Sequence, residues 1–162
     1  MDKPQQQIGG TLCLDFINTG GENHPDPGEF DTQKDVARMQ RFRATLRRIL
    51  SAEAAGAGAS QADLGALNRV LAAAGARRGL VPTVRGYGWG WLDGPMGPER
   101  ALWPVAFSAA RLLEGPNLSR LKSCDGCGRL FLDASRNRSR RWCDMQGCGN
   151  REKVARHRAR KD

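Results

Sequence analysis

Cys124, Cys127, Cys143 and Cys148 stand in a C-x2-C-x15-C-x4-C pattern in the last third of a 162-residue chain. Thiolate sulfurs in two close pairs, brought from two parts of a small fold, are the ligand set of one tetrahedral zinc ion. Four thiolates close the coordination sphere and leave no position for a reacting water, so the ion predicted here is structural rather than catalytic. A redox dithiol at Cys124 and Cys127 would call for a βαβ pattern around it, which the sequence lacks. The fifth cysteine, Cys13, lies far from the others and reads as a small buried hydrophobe rather than a redox sensor. An odd count and a polar opening without an apolar signal core argue against a secreted disulfide framework. A reducing cytoplasm is expected.

The second chemistry-bearing feature is charge. Residues 118–162 carry 13 Lys/Arg against 5 Asp/Glu, whereas residues 1–117 carry 13 against 12. Four thiolates and a divalent ion would lower the C-terminal excess from +8 to +6, which still suits a polyanion. Charge runs are more often solvated, helix-stabilising faces; here the coincidence with the cysteine cluster favours a binding surface. The candidate donors to phosphates or base edges are Arg136, Arg138, Arg140, Arg141, Arg151, Lys153, Arg156, Arg158 and Arg160. Duplex DNA is the expected partner. RNA, with Trp142 or Phe131 stacking on bases, is one alternative, and an acidic protein met by the same basic face is another.

Within this module Gly126 and Gly128 allow the first cysteine pair to form a knuckle turn. Residues 130–132 read as a short strand over the metal, 136–141 as a hydrophilic loop, and Trp142 as the main apolar plug. The x4 spacing of the second pair suits a turn running into a helix over residues 150–161. On that helix Lys153, Arg156 and Arg160 share one face, Arg151, Ala155 and Arg158 another, and Val154 and His157 turn back toward Phe131 and Trp142. His157 reads as a packed or phosphate-contacting residue rather than a ligand.

The elements ahead of the module must position it. Residues 8–19 form an apolar run that reads as a strand or a short buried helix, followed by a loop over 20–30 that contains His24. A helix begins after Asp31 or Thr32, with Val36, Met39, Phe42, Leu46, Ile49 and Leu50 inward and its arginines on the other face. Residues 52–59 are a small-residue linker. Ser60 with Asp63 resembles a capping box for a second helix that ends at Gly75. Val81, Val84, Tyr87, Trp89 and Trp91 fit a β-hairpin with its aromatics on one face. Pro98 opens a further helix to about Glu114, tolerating Pro104 in its first turns, and a helical step over 117–122 leads into the cysteines. The predicted fold class is therefore mainly α. A helical N-terminal domain with a small β-hairpin (1–117) precedes a four-cysteine zinc finger ending in a basic helix (118–162). Leu, Ile, Val and Phe number only 30 of 162, so metal binding is expected to supply folding free energy, and a homodimer could cover apolar surface. No apolar stretch is long enough for a membrane-spanning helix.

Asp15, Asn18 and Thr19, with Trp103, are the candidate lining of a small-molecule effector pocket. The favoured alternative is that Asp15 and Asn18 cap a helix or satisfy buried backbone. No nucleophile, base and orienting group fall into a set, so no enzymatic activity is expected.

The run from Leu130 to Arg160, above all Cys148-Gly149-Asn150-Arg151, resembles the CGNR zinc-finger family over about 40 residues. The segment Leu12-Cys13-Leu14-Asp15-Phe16-Ile17-Asn18-Thr19 and the run Trp103-Pro104-Val105-Ala106 resemble the ABATE domain usually fused to that finger. The resemblance implies a mainly helical N-terminal domain with a small β element, a DNA-binding finger, and a role as a bacterial transcription regulator. Between Phe30 and Lys34 the chain is shorter than the family pattern.

Overall fold

A computed structural model describes residues 10–18, 33–92 and 97–158, with Pro98 and Arg156 described by backbone alone. Thr19, the loop with His24, the shortening that begins at Phe30, and Arg160 lie outside these residues. In chain order the elements are α1 (Leu12–Asn18), α2 (Gln33–Ala54), α3 (Gln61–Gly75), and the hairpin β1 (Arg78–Thr83) with β2 (Gly86–Trp91). A 3-10 turn, Pro98–Leu102, runs into α4 (Trp103–Glu114), and a second, Pro116–Arg120, leads to the antiparallel pair β3 (Leu121–Ser123) and β4 (Leu130–Leu132). A π-helical turn, Met145–Gly149, then opens α5 (Asn150–Arg158). The mainly helical class with one aromatic hairpin is the one the sequence implies.

The ambiguous apolar run resolves as a helix. Cys13, Leu14, Phe16 and Ile17 of α1 are all buried. Their spacing covers one helical face, whereas a strand would have turned alternate residues outward. Ser108 on α4 holds the start of α1, its hydroxyl accepting the Cys13 N–H at 3.1 Å and lying 2.9 Å from the Thr11 hydroxyl. At the other end Arg43 and Arg47 of α2 donate to the Phe16 and Ile17 carbonyls at 3.0 and 3.3 Å. These are the acceptors that a helix C-terminus leaves without intrahelical partners. The arginines of α2 are thus not merely a solvated face. Arg48 also reaches across, its Nε donating to both carboxylate oxygens of Asp63 at 3.1 and 3.2 Å. Asp63 does double duty, since its N–H donates to the Ser60 hydroxyl at 3.1 Å in the N-terminal cap of α3.

One buried cluster joins α1, α2, α3 and α4, and it includes Leu121 and Leu130 from the β3–β4 pair. A second, smaller cluster holds Cys124, Phe131, Cys143 and Cys148, with Trp142 packed against it. Alternation along β4 divides the strand between the two: Leu130 and Leu132 face the helical interior, and Phe131 faces the cysteines. Asn18 at the end of α1 fixes this arrangement. Its Nδ2 donates to the Leu130 carbonyl at 2.7 Å, and its Oδ1 accepts the Leu130 N–H at 3.1 Å.

Candidate metal centre and its basic surround

The four cysteine sulfurs lie within 4.8 Å of one another. Cys127 and Cys143 are separated by 3.7 Å between sulfurs, Cys143 and Cys148 by 3.9 Å. A zinc tetrahedron with Zn–S bonds of about 2.3 Å has edges of about 3.8 Å, so the donor set fits the ion in both chemistry and size. These spacings are far beyond the roughly 2 Å of a disulfide. The four cysteines form a site for one structural zinc ion.

Local backbone chemistry builds each half. In the knuckle the Cys127 and Gly128 N–H groups donate to the Cys124 carbonyl at 3.4 and 2.8 Å, and the Cys124 N–H donates to Arg129 O at 2.8 Å. Gly128 closes this turn at φ 67, a left-handed conformation that disfavours a side chain. Gly126 leaves room for the second half, since a Cβ there would stand 3.3 Å from Cys148 Cβ. In that half the Asp144 carboxylate accepts the Gln146 and Gly147 N–H groups at 3.1 and 2.8 Å, capping the turn that delivers Cys148 to the start of α5.

Burial raises the thiols of Cys127 and Cys143, and the Cys124 and Cys127 sulfurs push Cys143 further up. Burial acts on Cys124 as well, but the N–H groups of Cys143, Gly126 and Cys127 outweigh it and hold that thiol at about 7. Four sulfurs this close do not ionise together unaided; a divalent cation supplies the opposing charge. Arg151 adds to this, with Nη2 3.1 Å from Cys148 Sγ.

A residue absent from the sequence-based candidates organises the arginine loop. Asp133 is completely buried. Its Oδ1 accepts from the Ser135 N–H at 2.9 Å and the Ser135 hydroxyl at 2.6 Å, and its Oδ2 accepts from the Arg140 N–H at 2.9 Å and Lys122 Nζ at 2.8 Å. Burial alone would raise this carboxyl; the Lys122 ammonium, the Ser135 hydroxyl and the two N–H groups hold it well below the usual carboxylate range. Lys122 also donates to the Arg138 and Arg140 carbonyls, and Arg120 to those of Asp133 and Ser135. The loop over 133–140 is therefore clasped by two cations from β3 and the turn before it. A clue existed in the sequence, an acid two residues before a serine at the edge of a strand, which is the pattern of a side chain accepting from nearby backbone.

The basic candidates divide by what they already touch. Arg136 and Arg138 are exposed on the clasped loop, and Lys153 and Arg158 are exposed on α5. None of the four has an ion pair among the described residues. Arg140 is turned inward: its guanidinium lies 5.4 Å from the Phe131 ring centroid and donates to the Cys143 carbonyl at 2.6 Å. Arg141 pairs with Asp125 at 2.7 Å and covers the Trp142 ring, while Arg151 serves Cys148. The side chain of Arg156 and all of Arg160 lie outside the described residues. Phe131, 1% exposed, is the apolar plug of the module, and Trp142 is only half-buried beside it. Val154 and His157 are exposed and line a shallow surface groove with Trp142 and Met145; they do not join the Phe131 cluster.

Of the proposed pocket residues the structure describes Asp15, Asn18 and Trp103, and Thr19 lies outside the described residues. Asn18 is occupied by the Leu130 backbone, as the capping alternative anticipated. Trp103 is buried against Trp91, with ring centroids 5.1 Å apart, and Asp15 is half-buried on α1. A concavity of about 1060 Å³ lies elsewhere, between the β1–β2 hairpin and α4, and neither Asp15, Asn18 nor Trp103 lines it.

Residues 10–116 match the model of the ABATE family, described as a putative stress-induced transcription regulator, and residues 120–161 match that of the CGNR zinc finger. No curated protein matches the chain. No helix among the described residues is long and apolar enough to cross a membrane.

Proposed function

From a chain that belongs to the ABATE family and carries a CGNR zinc finger, we propose a bacterial, cytoplasmic transcription regulator that binds duplex DNA through the finger. The observation that carries this reading is the set of exposed cations at Arg136, Arg138, Lys153 and Arg158, without an ion pair among the described residues, on a loop and a helix braced by the metal site. The zinc supplies cross-linking of the two cysteine pairs and a charge that keeps their thiolates together. The chain's own residues do the recognising. Asp133 and Lys122 fix the loop that presents Arg136 and Arg138, and Asp144 fixes the turn from which α5 departs. A backbone held in this way spares the loop's own ordering cost on binding, and any arginine that reaches a guanine edge would add sequence preference. In this reading the protein catalyses no reaction.

The test is a salt titration of the zinc-loaded full chain on random duplex DNA, followed by fluorescence anisotropy. About six neutralised phosphates give a slope of log K against log salt of roughly −5. Affinity independent of salt, or no binding at low salt with zinc verified, overturns the reading. Single-stranded RNA is the competitor of choice. Phe131 is buried and Trp142 is half-covered by Arg141, so stacking on bases is poorly supported and duplex DNA should win.

A further inference from the structure

We propose that the groove between the β1–β2 hairpin and α4 is a binding site for a small aromatic carboxylate. The hairpin register places Arg78 opposite Trp91, so both side chains stand on one face of the sheet. Trp91 packs onto α4, its ring 6.0 Å from that of Phe107 between centroids. The Arg78 guanidinium lies 4.7 Å from the Phe107 centroid and 5.4 Å from that of Trp91. A guanidinium laid on two rings is held in one orientation and partly stripped of water, with its N–H edge free to grip a carboxylate in bidentate fashion.

Arg111 lines the same groove one helical turn after Phe107. Neither Arg78 nor Arg111 has a carboxylate within ion-pair distance among the described residues. Glu114 is the one acid among the described lining residues, where cations prevail by two to one. Trp89, 69% exposed, extends the aromatic wall beyond Trp91. A large ring left in water at the rim of a cationic cleft is the surface that a flat, negatively charged molecule would cover. The volume of about 1060 Å³ lies just above the roughly 300–1,000 Å³ typical of small-molecule sites. The far wall is Leu132 of β4, the residue before Asp133, so an occupant touches the strand that leads into the arginine loop. The site itself does not depend on the DNA reading and is tested without DNA.

The probe is 2-naphthoate, titrated by calorimetry into the zinc-loaded full chain and followed in parallel by the indole N–H resonances of the four tryptophans. Its neutral counterpart 2-naphthamide and the non-aromatic cyclohexanecarboxylate are the controls. One saturable site is expected, with both controls about tenfold weaker or more, because each lacks one of the two recognition elements. The Trp89 and Trp91 resonances should move and that of Trp142 should not. Arg78→Gln and Arg111→Gln should each weaken naphthoate by about tenfold while leaving naphthamide unchanged. Arg111 is exposed on a helix, so its variant keeps the test meaningful even if Arg78→Gln disturbs the hairpin. The proposal fails if naphthoate and naphthamide bind equally, if naphthoate does not bind, if only Trp142 responds, or if Arg111→Gln is without effect.

Discussion

Replacing Asn18 with alanine separates a structural pin from a ligand-binding amide. The side chain makes two hydrogen bonds to one backbone unit, at 2.7 and 3.1 Å, and the residue it holds, Leu130, is 1% exposed. Each bond contributes about 1 kcal/mol net, and a stranded N–H and carbonyl add their own desolvation cost, so Asn18→Ala should lose about 2–4 kcal/mol. For a protein of this size that corresponds to a fall in Tm of about 5–15 °C. Asn18→Asp adds a directional check. Its carboxylate still accepts the Leu130 N–H, but a second oxygen then faces the Leu130 carbonyl. Protonation would restore a donor, so the deficit of this variant should shrink as pH falls toward the carboxylate range. Thermal melts of the zinc-loaded proteins, with the rate of zinc transfer to a chromogenic chelator as a second readout, measure both effects. An alanine variant within about 0.5 kcal/mol of the parent would show that Asn18 does not hold β4, and the account of how the helices carry the finger would fall with it.

Phe131→Ala should cost about 3–5 kcal/mol and speed zinc loss, because the ring is 1% exposed against the cysteine cluster; urea melts with and without chelator test this. Zinc affinity should rise with pH. The Cys127 and Cys143 thiols are raised and hence protonated in the metal-free protein at neutral pH, so binding releases protons and acidification reverses it. Chelator competition at two pH values would refute this if the affinity were unchanged. Asp133 is held below the usual carboxylate range, so it stabilises the fold above its unfolded value near pH 4, and that contribution is lost as pH falls further. The stability gap between parent and Asp133→Asn should therefore narrow on acidification; a gap that widens contradicts the clasp.

Features encoded by local spacing were legible in the sequence. The cysteine pairs announce their ion because ligand geometry is set within each turn, and the Ser60–Asp63 cap is complete within four residues. The long helix over Met39 to Leu50 follows from periodicity alone. The character of α1 was not legible, because four buried residues in seven satisfy either a helix or a buried strand until Ser108 and Arg43 are known to meet its ends. Arg140 and Arg141 are neighbours in a uniform basic run, yet one faces Phe131 and the other Asp125. Asp133 fixes the backbone at Arg140 by accepting its N–H, and its partners come from an adjacent strand and a loop. The cleft holding Arg78 and Arg111 needed both the hairpin register and its packing on α4, and neither is written in a window of a few residues.

The three residues of β4 look in two directions at once, and this makes the C-terminal unit something other than a detachable cassette. Severing the chain after Asn117 would take Leu121 and Leu130 out of the larger interior, leaving α1 and α2 with a hole and Asn18 with nothing to grip. Transplanting the finger alone would bare the leucine side of its β3–β4 pair. An oxidant or chelator that strips the sulfurs would consequently loosen the helices as well, so melting of the whole molecule becomes a gauge of metal occupancy.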